Sequence, residues 1–324
     1  MKYKGIFLIL QNIDSSATNF VVNGRRKGFC MMLDQKMLFD EVRELVTRSC
    51  LTISPDAQKL LEQALSKETN ETAQSMLKTM LENLKLAQEK NKPVCQSPGF
   101  PTVYISFGNT TLPGNIKEAF QTALVEATKA GLMRPSIVHP LTRKNSGDNS
   151  GPGVPNFEFD YNPGQDYLEM IISFKGCGAE LGNYMEIFTT VKLGKDLAGL
   201  KKKIVETIVN AGGKPCPPFV VGIGIGGQMD VACKLSRKAV STRRWDDENP
   251  DELYGSLEKE LLEQINSLGI GAAGTGGDTT ALAVKIEGAS THTAIAPVAI
   301  NFHCWPARRA GIRLYPDGKK EIIF

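Results

Sequence analysis

From Lys92-Pro93 onward the chain alternates between two hydrophobic periods, and that alternation restricts it to one class of fold. TVYISFG from Thr102, NFEFDY from Asn156 and YLEMIISF from Tyr167 are β-branched and aromatic runs of strand length. PFVVGIGIGG from Pro218, TTALAVKIEGA from Thr279 and APVAINF from Ala296 read the same way. Longer amphipathic stretches separate them. NIKEAFQTALVEATKAGL closes near Gly131, LGKDLAGLKKKIVETIVNAG ends at Gly212-Gly213, and QMDVACKLSRKAVS and PDELYGSLEKELLEQINSLG follow. Strands and helices interleaved with Gly/Pro-rich loops make an α/β protein with a mixed strand–helix core over 93–324.

The stretch before it is different. Met37 to Lys90 carries apolar residues at helical spacing, with Ser54 as a cap, Pro55 at the first helical position and Asp56 after it. It predicts a helical layer over 37–92 that covers the core. Residues 1–36 read as an extension outside this domain, disordered or non-native, since FCMML at 29–33 offers later methionines. The apolar stretch Gly5 to Leu10 is short for a signal sequence, and no run approaches the ~18 apolar residues of a membrane helix, so a cytoplasmic protein without a membrane is expected. A net charge of +3, with no long basic run, argues against nucleic acid as a partner.

Seven cysteines, an odd number in a long chain, argue against disulfides. Three of them, Cys95 in KPVCQSPG, Cys216 in GKPCPPF and Cys304 in FHCWPA, lie in proline-bearing loops at element boundaries. Such loops suit thiolate ligands, because proline fixes the backbone and removes competing donors. Three separated thiolates suit an iron–sulfur cluster with one iron left open; a tetrahedral zinc site lacks an evident fourth ligand, and three unrelated loop cysteines remain the bland alternative.

Gly222, Gly224 and Gly227 form a G-x-G-x-x-G between a strand and a helix, with Asp247 about 20 residues on. That is the context of a dinucleotide fingerprint, but Asp247 lies in a loop-like RRWDDENPDE. An anion or cluster sulfide at the helix start is the other use. GIGAAGTGGDTT lacks the Lys-Ser/Thr of a phosphate loop. His292 can act as an acid, base or ligand, or be a satisfied structural histidine. Arg134, just after a helix, can take a carboxylate in its fork or lie idle on the surface. KGCGAELGN places Lys175 and Glu180 around a tight glycine turn.

Together these stretches resemble a known family. VCQSPG, PLTRKNSGDNSGPGVPNFEFDY, FKGCGAELGN, CPPFVVGIGIGGQMDVACKLSRKA, LGIGAAGTGGDTTALAVKIE and HTAIAPVAINFHCWPARRA occur in the order of its motifs. From about Met37 to Ala310 the chain is similar to the α subunit, or N-terminal half, of the class I iron–sulfur-dependent fumarase and L-tartrate dehydratase hydro-lyases. The resemblance implies that Cys95, Cys216 and Cys304 hold a [4Fe–4S] cluster whose open iron takes a 2-hydroxy acid. It implies that Gln96, Arg134 and His292 contact substrate, that Lys175 and Glu180 lie nearby, and that the Gly222–Gly227 turn lines the pocket. It also implies a β subunit supplying the general base, in a dimer of heterodimers. Ser97, at the catalytic position, stands where the family has an acidic residue that handles a proton, and Asp278 stands where it has a lysine, at an expected anion site for the substrate. Those departures raise a second reading, a cluster-bearing subunit without catalysis that serves as scaffold or redox sensor. A nucleotide-binding oxidoreductase built on the glycine turn is a third.

Overall fold

The computed structural model describes residues 35–97 and 99–324. The expected extension therefore lies outside the described residues, except that its last two positions open the first helix. Nine helices and nine strands follow in this described part.

Strands β1 (Phe100–Phe107), β2 (Asn156–Tyr161), β3 (Leu168–Lys175), β8 (Arg309–Leu314) and β9 (Lys320–Ile322) form one sheet in the order β2-β1-β3-β8-β9. Only the β1–β2 pair is parallel. Its inner face carries Val103, Ile105, Met170, Ile172 and Ile312 against helices α1 (Gln35–Leu51) and α4 (Ile116–Lys129). Alternate residues point inward, and on the opposite face Tyr104 and Ile171 are buried with Phe324.

The second sheet runs β4-β7-β5-β6, from β4 (Tyr184–Thr189), β7 (Ile295–His303), β5 (Phe219–Gly226) and β6 (Ala281–Ala289). One face, with Val221, Ile223, Ile286, Ile300 and Phe302, is covered by α7 (Ala198–Ala211) and α9 (Glu252–Asn266). The other face receives α8 (Met229–Thr242), which also reaches β3 and ties to β2 through Arg237–Glu158 at 2.8 Å. Helix α8 is thus wedged between the two sheets.

The N-terminal helices divide between the two cores. Helix α1 joins the first sheet, whereas α2 (Pro55–Lys67) and α3 (Glu71–Lys90) pack on Val220, Val240, Trp245, Leu282 and Ala307. Ser54 does precede α2, but its hydroxyl caps nothing; it accepts a hydrogen bond from Arg309 Nη2 at 2.9 Å. Four elements escaped the periodicity reading: β4, the short helices α5 (Cys177–Leu181) and α6 (Thr190–Leu193), and the β8–β9 hairpin. All are short, and β8 is buried on nearly every residue, so no alternation marks it.

The glycine fingerprint has a packing role. Gly222 and Gly224 lie inside β5 rather than in a turn, and the turn itself is Gly226-Gly227, both at positive φ. A Cβ on Gly224 would stand 2.0 Å from the Ala232 carbonyl oxygen, and one on Gly222 would stand 2.1 Å from that of Ser236. The two glycines let α8 approach β5 backbone to backbone. Asp247, the acid at fingerprint spacing, spends its carboxylate on Arg243 and Lys285, each at 2.7 Å. Gly224→Ala is expected to push α8 off the sheet and cost roughly 1–3 kcal/mol, the range for overpacking a core. Urea unfolding checks this, and an unchanged midpoint would refute it.

Candidate active site

The pairing of the strands determines which loops meet. In the first sheet Phe100 at the start of β1 lies opposite Lys175 at the end of β3. In the second, Val220 at the start of β5 lies opposite His303 at the end of β7. The sheets join at this end, where Ser173 Oγ meets His303 Nε2 at 3.2 Å. Cys95 precedes β1, Cys216 precedes β5 and Cys304 follows β7, so antiparallel pairing gathers all three loops here.

The contacts agree. Trp305 N donates to the Cys216 carbonyl at 3.4 Å. Partial desolvation raises the Cys216 thiol above its ordinary range, the sulfurs of Cys304 and Cys95 raise it further, and Arg308 pulls it down. Cys216 has φ +57°, a backbone state that costs a non-glycine residue about 1–3 kcal/mol and clusters at functional sites. Cys304 is buried, Cys95 half-buried and Cys216 exposed, a graded entrance from solvent to core.

His303 holds the Cys304 backbone. Its Nδ1 lies 3.2 Å from the Cys304 carbonyl, which can only accept, so Nδ1 carries the proton and Nε2 accepts from Ser173. Burial, helped by Arg309, lowers its pKa to about 3 and keeps the ring neutral.

Lys175 ends β3 beside the thiols. Its ammonium donates to Asn183 Oδ1 at 2.8 Å and to Asn301 Oδ1, and pairs with Glu180 at 2.6 Å. Burial lowers it to about 8 while Glu180 pulls the other way, so it is still mainly charged at neutral pH. Asn183, Asn301, Glu180, Arg237 and Cys233 line an adjoining pocket of about 290 Å³. A larger cavity of about 520 Å³ lies between Trp245, α9 and β6, but none of the three cysteines lines it and its carboxylates Asp247 and Glu258 are engaged by Lys285 and Arg243.

Gln96 and Arg134 meet through the backbone: Arg134 N donates to the Gln96 carbonyl at 3.4 Å. Both side chains are exposed. Asn149 braces this loop, accepting from Ser136 N at 2.8 Å and donating to the Arg134 carbonyl at 3.2 Å. Ser97 contributes its carbonyl, which accepts from Arg308 Nη1.

Arg308 was not singled out by the sequence, nor were Asn183, Asn301, His303 and Asn149. Arg308 is 2% exposed, and its Nε has no hydrogen-bond partner. Its position two residues after Trp305-Pro306, in the crossing from one sheet to the other, was the available clue.

Three expected members are elsewhere. His292 precedes β7, so nine extended residues, about 30 Å, separate it from the thiols. It is exposed and accepts from Ala294 N through Nδ1 at 3.2 Å. The Gly226-Gly227 turn is at that far end too, where Gly227 N donates to the Ser290 carbonyl at 3.2 Å. The glycine turn therefore does not line the thiol site, because β5 leads away from it; Gly222 and Gly224 face α8. Asp278 is also diverted: its carboxylate accepts from Thr69 N at 2.8 Å and Thr69 Oγ1 at 2.7 Å, latching the turn between α2 and α3.

The residues at the thiol end fit an anionic metal cluster. Among the described residues no three His, Cys, Asp or Glu side chains stand close enough to share one metal ion. A buried arginine, Arg308, whose Nε–H has no partner and a buried lysine, Lys175, put positive charge beside these thiols.

A model of the fumarate hydratase (Fumerase) family matches residues 39–313. The chain belongs to that family. Its fumarate hydratase-family relatives include "Putative L(+)-tartrate dehydratase subunit alpha" of Methanocaldococcus jannaschii, 44% identical over 86% of this chain and 98% of the relative. "Putative fumarate hydratase class I" of Geobacillus stearothermophilus is 34% identical over 88% of this chain, which spans only 56% of that longer protein. "L(+)-tartrate dehydratase subunit alpha" of Escherichia coli is 29% identical over 88% of this chain and 94% of its own length. Among the described residues no helix is long and apolar enough to cross a membrane.

Proposed function

We propose that this chain is the α subunit of a [4Fe–4S]-dependent hydro-lyase acting on a small 2-hydroxy acid of the fumarate/malate or tartrate type. The observation that carries the reading is the convergence of Cys95, Cys216 and Cys304, from three separate loops, around Arg308 and Lys175. The family and the names of its relatives support the reaction class.

Cys95, Cys216 and Cys304 would hold the cluster, which when bound supplies an open iron as Lewis acid for a leaving hydroxide. Two of the chain's own groups act on the substrate. Arg134, exposed beside Gln96, presents a planar fork to a substrate carboxylate. Lys175, aimed by Asn183 and Asn301, offers a fixed positive charge where negative charge develops. The carboxylate that the family places after Cys-Gln is Ser97 here, so proton handling there passes to the partner. A β subunit is assigned the general base and a second carboxylate-binding arginine, in a dimer of heterodimers working in the cytoplasm.

The test is anaerobic reconstitution of the chain with a β-type subunit, followed by ultraviolet absorbance of the unsaturated acid formed from L-malate and of the 2-keto acid formed from L-tartrate. Turnover of either acid, lost without the β subunit, is the expected result. A full complement of iron without turnover of any hydroxy acid would favour the scaffold or redox reading, for which the replacement of the family acid by Ser97 is the motive. Absence of iron after reconstitution would sink both.

A further inference from the structure

Three glycines surround the thiols, and they differ in why they are glycine. Gly99, at φ +79°, could carry no side chain: a Cβ there would stand 2.0 Å from the Lys175 carbonyl oxygen. Gly178 is equally closed, with the Lys214 carbonyl oxygen at 2.0 Å. Gly176 is under neither constraint. Its φ of −67° and ψ of 155° are open to any residue. A Cβ on it would meet only Arg308 Nη2 at 3.7 Å and Cys304 Sγ at 3.8 Å, ordinary contact distances, with no backbone in the way. Neither the backbone nor the packing asks for glycine at 176.

What a methyl group would do there is fill the space between a thiol and a guanidinium. That guanidinium is buried and under-used: Arg308 Nη1 donates to the Ser97 carbonyl, while Nε has no partner. An unpaired N–H in a buried cation costs about 1–3 kcal/mol or more, and a bound group that accepted from it would remove that cost.

We infer that Gly176 is kept bare to leave a cradle between Cys304 Sγ and Arg308, and that this cradle receives the cluster held by the three cysteines, with Arg308 as its hydrogen-bond donor. This rests on the function proposed above and adds two positioning residues to it. Arg308 also bolts the Cys95–Ser97 loop to the crossing that bears Cys304, and its own carbonyl accepts from Phe174 N at 2.9 Å. The same side chain thus sets the spacing of two of the three ligand loops.

Gly176→Ala separates this from a structural role. The variant and the wild type, each with its β-type partner, would be reconstituted anaerobically and assayed for iron and sulfide per chain. The rate of iron loss to a chelator and the melting temperature without iron complete the set. Gly176→Ala is expected to melt no lower than wild type without iron, yet to lose iron about tenfold faster or fill less, the usual cost of disturbing a group that supports metal ligands. Arg308→Lys, which keeps the charge but not the fork, should lose iron faster than wild type and slower than Arg308→Gln. Equal iron content and retention in Gly176→Ala and wild type would overturn the inference, and so would a lower melting temperature of the iron-free variant. A wild type that takes up no iron would instead overturn the proposed function on which it rests.

Discussion

Cys216→Ser is expected to reduce bound iron and sulfide to background and to abolish hydro-lyase turnover, with the iron-free fold unchanged. Cys216 is exposed, its sulfur makes only a 4.0 Å contact with the Lys214 carbonyl, and no core side chain depends on it. Serine keeps the shape and the strained φ, so stability should move by no more than about 0.5 kcal/mol, as for a surface change. What serine removes is a thiolate, the donor on which an iron–sulfur cluster depends. Cys177→Ser is the matched control, since its thiol is exposed and it is not among the converging three. If both variants retain iron equally, the assignment of the cysteines fails.

Asp56→Ala is expected to destabilise the chain by about 3–5 kcal/mol, the cost of leaving a buried charge without its partner. Asp56 and Arg309 are both fully buried and pair at 2.6 Å. The Arg309 guanidinium is sandwiched between Trp245 and Phe324, 4.4 and 4.6 Å from their centroids, and also donates to the Arg243 carbonyl at 2.6 Å. Burial alone would raise the Asp56 carboxyl, but Arg309, the Trp245 N–H and Ser54 outweigh it and hold the group below the usual carboxylate range. A depressed carboxylate contributes stability that is complete above its unfolded pKa, near 3.9, and is lost as pH falls through the folded value. The wild type should therefore lose this contribution only below about pH 4, and Asp56→Ala should lack that part of the acid transition. Replacing the pair together, as Asp56→Leu with Arg309→Met, should cost less than Asp56→Ala alone, because no orphan charge remains. Urea titrations of the single and double variants, as a double-mutant cycle, measure the difference. A double variant as unstable as the single one would show that packing, not charge, holds this site.

Much of the fold was legible from local chemistry. The strands at Thr102, Asn156, Tyr167, Pro218, Thr279 and Ala296 and the long helices follow hydrophobic period, caps and glycine stops, which act within a few residues. The loop cysteines stood out for the same reason, since proline marks a boundary wherever it falls. What escaped was short or wholly buried: β4, α5, β8 and β9 carry too few residues for a period to show.

The site divides along the same line. Local sequence identified the thiols and Lys175 one segment at a time, and their side chains carry the chemistry regardless of neighbours. Which segments meet is a matter of strand direction. Because β7 runs antiparallel to β5, Cys304 joins Cys216 while His292, only twelve positions earlier, is carried to the opposite end. The same geometry turns the G-x-G-x-x-G into a seat for α8 and the Ser54 cap into a ligand for Arg309. Asn183, Asn301 and Arg308 acquire their roles only at the seam between two sheets, where Lys175 meets Asn301 across 126 residues and Arg308 meets Ser97 across 211. Residue type sets what a group can do; long-range pairing, invisible to any local period, sets what it does it to.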